Sequence, residues 1–198
     1  MSLTSGVLPL NERKMDWFFI VIFGVFIFTS LAADFVNAVF QPDPDSGYFW
    51  ARAVFELYAR NNDPLLVANP EWLRVMTLLS SFIFGPFYIV LIISFAKGWN
   101  GIRPWALFYA GMIVESVIII IFVEFRGEAA LFAQIARELK PADELSAVGL
   151  TADLKVLNPL KFLLFNLPYI IVPLLLALRM RKPAPFAAVR PRERDIDQ

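Results

Sequence analysis

Four apolar runs dominate this chain, over about residues 17–40, 72–96, 105–125 and 159–178. A helix that crosses the hydrocarbon of a bilayer needs roughly 20 mostly apolar residues, which each run supplies. The expected fold class is therefore all-α, a polytopic membrane four-helix bundle. Composition agrees. Of the 198 residues, 58% are hydrophobic and 20 are Phe, more apolar surface than a soluble domain of this size can hide from water. Trp17, Trp72, Trp99 and Trp105 sit near the expected span ends, where aromatic side chains anchor to the interface. The expected organisation is a cytoplasmic N-terminal segment over 1–15, a membrane domain over 16–182 and a solvated, disordered tail over 183–198. One rival exists for the first run: Arg13 and Lys14, then an apolar stretch ending in Ser30-Leu31-Ala32, also resemble a secretory signal. The run is long for one, and cleavage there would leave three spans.

Lys and Arg set the orientation. With four spans, the N-terminus, the middle loop and the tail share a side. That side carries Arg13, Lys14, Lys97, Arg103, Arg179, Arg181 and Lys182. The other two loops mix basic residues with many acids, so both termini are expected in the cytoplasm. The membrane is the endoplasmic reticulum for a eukaryotic source and the inner membrane for a bacterial one. Basic and acidic residues balance at 18 each, which argues against a nucleic-acid partner. The chain has no Cys and no His. This removes disulfides, thiol nucleophiles, His-based triads and most metal and haem sites. No metal or cofactor is expected, and any chemistry falls to carboxyls, amides, hydroxyls and aromatic rings.

The loops carry pattern of their own. Tyr48 to Ala59 reads as a short helix, with Phe49, Ala53, Phe55 and Leu57 suited to a membrane surface. Ala129 to Leu139 is a second amphipathic segment, stopped by Pro141. Pro86, Pro168 and Pro173 fall within spans, where they kink helices or free carbonyls toward a cavity.

Acids inside a span are expensive and usually face the protein interior. Asp34 lies toward the far end of the first span, with Ser30 and Asn37 on its helical face. Glu115 lies mid-way along the third span, sharing a face with Gly111 and Phe122, and Glu124 stands near that helix's exit, where an interface charge is the plainer reading. The second span presents Thr77, Ser81 and Tyr88 along one stripe, and the fourth presents Asn166 and Tyr169. Turned inward, these stripes form an amphipathic pocket with carboxyls from Asp34 and Glu115 and walls from Tyr88, Phe122 and Tyr169. Ser81 and Asn166 also suit plain helix-to-helix hydrogen bonding. Such a pocket suits a hydrophobic cation or a sterol-like molecule.

At this point the residues resemble a known family. Leu57-Tyr58-Ala59-Arg60, Asp63-Pro64-Leu65-Leu66 and Pro70-Glu71-Trp72-Leu73 are followed by Pro86-Phe87, Lys97-Gly98 and Ile102-Arg103. Leu167-Pro168-Tyr169-Ile170-Ile171-Val172-Pro173 completes the pattern. In order and spacing the chain resembles the EXPERA family, which includes the emopamil-binding sterol isomerase and the sigma-two receptor, with the sigma-two receptor the nearer of the two. The resemblance covers about 17–182. It implies a four-helix membrane bundle, often a homodimer, whose lipid-accessible cavity binds sterols and hydrophobic amines. It assigns Asp34 to the ligand amine and Asp63 to supporting Asp34, with one of the two acids protonated. It also places Asn166 and Tyr169 at the site. Departures are equally specific: Ser80 stands where the relatives carry a Glu, Glu115 stands where the receptor has a Thr, and the isomerase-like His is absent.

The ligand-binding set expected on these grounds is Asp34, Asp63, Glu115, Asn166, Tyr169, Ser81 and Thr77. The leading function is binding of sterols, similar hydrophobic lipids or hydrophobic amines from the surrounding membrane lipid. A sterol double-bond isomerase is the second reading, with Asp34 and Glu115 as catalytic acid and base. A membrane scaffold or trafficking partner is the third, and a small transporter a fourth.

Overall fold

All four apolar runs fold as helices long enough to cross a membrane. In this computed structural model, which describes residues 6–60, 62–128, 130–131 and 154–187, the first is α1, Lys14–Val39. The connection that follows carries two short helices, α2 over 49–59 and α3 over Pro64–Ala68. The remaining spans are α4, Glu71–Lys97, α5, Asn100–Arg126, and α6, Pro159–Arg179. The helix expected from Tyr48 to Ala59 is thus present as α2, but Phe55 is buried rather than spread on a surface. Residues 132–139 of the second amphipathic segment lie outside the described residues.

Helix α1 packs along α4, and α5 packs along α6. Phe19, Phe23 and Phe26 recur at helical spacing on α1 and are all buried. They meet Tyr88, Leu91 and Phe95 of α4, Tyr109 and Ile113 of α5, and Val172 and Leu176 of α6. Aromatic rings set much of this core. Phe23 stacks on Tyr88 with centroids 5.8 Å apart, Tyr88 meets Tyr109 edge-on at 5.6 Å, and Phe26 stacks on Tyr169 at 4.2 Å. Tyr109 donates its hydroxyl hydrogen to the Tyr88 oxygen at 3.2 Å, so neither hydroxyl is buried alone. The outward faces carry Val21, Val25, Phe82, Phe108 and Phe122, all exposed, as expected of helices whose solvent is lipid.

Small and hydroxylated residues let α1 and α4 approach closely. A Cβ on Gly85 would meet the Ser30 hydroxyl at 3.1 Å. Ser30 donates to the Ser80 carbonyl at 2.8 Å, and Ser81 donates to the Ser30 carbonyl at 3.2 Å. Such interhelical bonds bind helices together where lipid offers no competing partner. Both helices widen into π-helical turns at this level, Ser30–Asp34 and Ser80–Phe84, and α2 does the same at Phe55–Ala59. Pro86 lies just past the α4 turn and lacks the N–H that a regular helix would use there. A π-turn shifts the helical face by one residue, and such turns concentrate at functional sites.

A buried ionic clamp closes the end of the bundle that carries Arg13, Lys14, Lys97, Arg103, Arg179, Arg181 and Lys182. Asp16 is buried there and accepts hydrogen bonds from Arg13 and from Arg179, the latter through two nitrogens at 2.9 and 3.2 Å. Arg13 also donates to the carbonyls of Phe95 and Ala96, and Arg103 donates to that of Met180. Residues 183–187 differ from the solvated tail expected from 183 onward, because they fold back onto this end. Phe186 is buried with the guanidinium carbons of Arg13 and Arg179 at 5.2 and 5.0 Å from its ring centroid, and Ala187 bridges Val7. Residues 188–198 lie outside the described residues.

Candidate ligand cavity

Away from the basic clamp, the four spans and the connection between α1 and α4 enclose a cavity of about 340 Å³, within the size range of small-molecule sites. Its walls are mostly apolar and aromatic, with Phe28 from α1, Trp50 and Leu57 from α2, and Phe165 from α6. Helix α2 forms one wall, through Trp50, Ala53, Val54, Leu57 and Tyr58. It is held against α6 by the Lys161 ammonium, which donates to the Leu57 carbonyl at 2.8 Å, and by Tyr58 and Phe165, whose ring centroids are 5.0 Å apart.

Polar groups enter this apolar space at two places. At the first, Asp34 accepts a 2.5 Å hydrogen bond from the Ser80 hydroxyl. Both residues belong to π-turns, so the widened helices aim the carboxyl and its donor at each other. Ser80, read from sequence as a departure from the family pattern, thus supplies a donor to the α1 acid instead of a second charge. Tyr169 shares a hydrogen bond with the Thr29 hydroxyl one helical turn earlier on α1.

Asp63, Glu124, Tyr58 and Asn166 form the second cluster. Asp63 caps α3, accepting from the Leu66 N–H at 2.8 Å. The Tyr58 hydroxyl lies near the Asp63 carboxyl, and Asn166 donates to the Tyr58 oxygen at 3.2 Å. Glu124 is only 1% exposed, lies within hydrogen-bonding reach of Asp63, and its Oε2 has no partner among the described residues. Two carboxyls in contact in a dry site need a proton between them. Burial pushes the Asp63 carboxyl above its usual range, an effect that bonds from Glu124, Leu66 and Tyr58 reduce. Burial, with the nearby Asp63 charge, also holds the Tyr58 phenol well above its ordinary value, so it remains a donor.

A raised acid contributes stability that is complete below its unfolded pKa and is lost as pH rises through its folded one. Stability should therefore decline as pH climbs from about 4, the ordinary Asp value. The Asp63→Asn variant keeps the cap and removes the charge, and its melting temperature in detergent should fall less between pH 5 and 8 than that of the wild type. An unchanged pH slope would rule out Asp63 as its source.

Of the residues singled out from sequence, Asp34, Asp63, Thr77, Asn166 and Tyr169 come together on the cavity wall. Asp34 and Asp63 each have other partners, rather than supporting one another directly. Ser81 is buried in the α1–α4 contact instead, bonded to Ser30 and to the Thr77 carbonyl. Glu115 does not reach the cavity; it is exposed on the outer face of α5 together with Gly111 and Phe122. Of the three rings expected to form walls, only Tyr169 does so, since Tyr88 is sealed in the core and Phe122 points outward. Glu124 and Tyr58, both in the second polar cluster, were not selected by the sequence reading. The sequence held no clear signal for Glu124, since α5 is apolar on nearly all sides; in the structure it continues the buried face of Ala106, Tyr109, Ala110, Ile113 and Val117. Glu115 falls opposite it.

A profile of the EXPERA family, the expanded EBP superfamily, matches residues 50–180. The chain belongs to the EXPERA family. That range holds α3, α4, α5 and α6 and nearly all of α2, hence every cavity residue named above except those of α1. No curated protein matches the chain significantly. EXPERA membership supports a sterol-related role in the membrane, of a binding or isomerase-like kind.

Proposed function

We propose that this EXPERA protein binds a sterol or similar hydrophobic lipid, and hydrophobic amines, inside the helix bundle. The observation that carries the reading is one aromatic-walled cavity into which Asp34, Asp63 and Glu124 all project. The apolar walls accept a hydrocarbon body, and the carboxyls accept a hydroxyl or an ammonium. Asp34 engages Ser80 through Oδ2 and leaves Oδ1 for a ligand amine. Glu124 Oε2, buried and unpartnered, accepts a second ligand donor. The likeness of Leu57 to Leu73 and Leu167 to Pro173 to the sigma-two receptor favours amines among the ligands.

The testing experiment measures saturable binding of a tritiated hydrophobic amine to the purified protein in detergent, with unlabelled sterol as competitor. Ala53 lines the cavity, and Ala53→Trp should weaken binding roughly tenfold by filling it. Glu115→Gln, on the outer face, should change binding by no more than about twofold. Absence of saturable binding by the wild type would overturn the reading.

An isomerase-like enzyme is the second reading, favoured by the contact between Asp63 and Glu124. One protonated carboxyl gives its proton to an alkene carbon and a carboxylate takes one from a nearby carbon, which moves the double bond without any oxidant. Glu124→Gln should then abolish turnover while leaving neutral sterol bound; turnover that survives would sink this assignment. The Lys and Arg bias favours cytoplasmic termini, in the endoplasmic reticulum or a bacterial inner membrane according to source. The homodimer implied by the resemblance would shelter outward-facing Glu115 from lipid.

A further inference from the structure

A second cavity, of about 490 Å³, opens at the basic end between α1, α6 and the folded-back segment 182–187. Its two sides differ in chemistry. Met15, Leu175 and Leu178 present exposed apolar surface. Arg181 and Lys182 line it as well, and among the described residues neither side chain has an ion pair or a hydrogen bond. The neighbouring acid cannot neutralise them: Asp16 is buried and both of its oxygens are taken by Arg13 and Arg179. Among the described residues the end of the bundle thus carries two cations without an ion pair beside an apolar wall, at the level where a spanning helix leaves the hydrocarbon.

We propose that this cavity holds the headgroup of an anionic glycerophospholipid, with its phosphate on Arg181 and Lys182 and its first acyl carbons along Met15, Leu175 and Leu178. A basic pocket between spanning helices attracts a lipid phosphate, and guanidinium and ammonium groups are both phosphate ligands. Inorganic phosphate shares the anionic chemistry but leaves the apolar wall uncovered, which is why a lipid is assigned. The site depends on the returning segment, since Ala184, Pro185 and Ala187 form one of its sides. It is separate from the acidic cavity and stands independently of the function proposed for that cavity.

The test uses the full chain in phosphatidylcholine–detergent micelles and tritiated phosphatidylglycerol. The wild type should retain phosphatidylglycerol saturably and in preference to labelled phosphatidylcholine. The Arg181→Gln/Lys182→Gln variant should bind it about thirtyfold more weakly, at about fivefold per basic residue. The charge-conserving Arg181→Lys/Lys182→Arg variant should keep the preference. Equal retention of the two lipids by the wild type would overturn the proposal without recourse to any variant. So would unchanged binding by the Gln variant, and so would displacement of the lipid by millimolar inorganic phosphate, which would identify a free-phosphate site instead.

Discussion

Asp16→Ala should cost the protein about 3–5 kcal/mol of stability, the usual penalty for removing one member of a buried charge pair. Asp16 is 1% exposed and accepts hydrogen bonds from Arg13 and Arg179, and Arg13 is itself only 7% exposed. Without the carboxylate, two guanidinium groups would share the Phe186 ring with no anion between them. The melting temperature, followed by helical circular dichroism in detergent, should fall by about 10 °C or more. The loss should begin at the basic end, because Arg179 also holds the Pro185 carbonyl. Limited trypsin digestion should therefore cut after Arg181 faster in the variant. Asp16→Asn, which keeps one acceptor, should fall between the two. Melting and proteolysis indistinguishable from the wild type would mean that the clamp contributes nothing.

The four spans were legible because lipid imposes a length and a composition that few other environments demand. Orientation of faces was not. On α5 nearly every residue is apolar, so hydrophobic periodicity, the main guide to a buried face in soluble proteins, has little contrast. Depth in the span was then the remaining cue, and it favoured Glu115 over Glu124. Packing decided otherwise: Glu124 continues the face of Ala106, Tyr109, Ile113 and Val117, all in contact with the bundle. The π-turns were equally hidden. They move Asp34, Tyr58 and Ser80 relative to a regular helix, and no local residue pattern in α1 announces them. Ser80 illustrates the effect, since a position marked only by a missing acid becomes the donor to Asp34. The clamp went unread for a related reason: Asp16 sits at a span edge, where an acid ordinarily meets water, and its partner Arg179 comes from the far end of the chain.

Asp34→Asn should abolish binding of hydrophobic amines while sparing neutral sterols. An ammonium seated against a carboxylate in an apolar cavity is a desolvated charge pair, and truncating one side of such a pair costs about 2–5 kcal/mol, which corresponds to at least thirtyfold in affinity. Asn keeps the size of Asp and an oxygen that accepts from the Ser80 hydroxyl, so the α1–α4 contact through Ser30, Ser80 and Ser81 should hold. A sterol hydroxyl needs only a hydrogen-bond partner, which Asn still offers, so its affinity should change by about threefold or less. Glu124→Gln provides the contrast. It lies in the second polar cluster with Asp63 and Tyr58, and should lower amine affinity less than Asp34→Asn if Asp34 is the charged anchor. The measurement is a pair of saturation isotherms, one with a tritiated amine and one with a tritiated sterol, on all three proteins. Parallel losses for both ligands in Asp34→Asn would point to a collapsed cavity. Loss of amine binding in Glu124→Gln alone would move the anchor from α1 to α5.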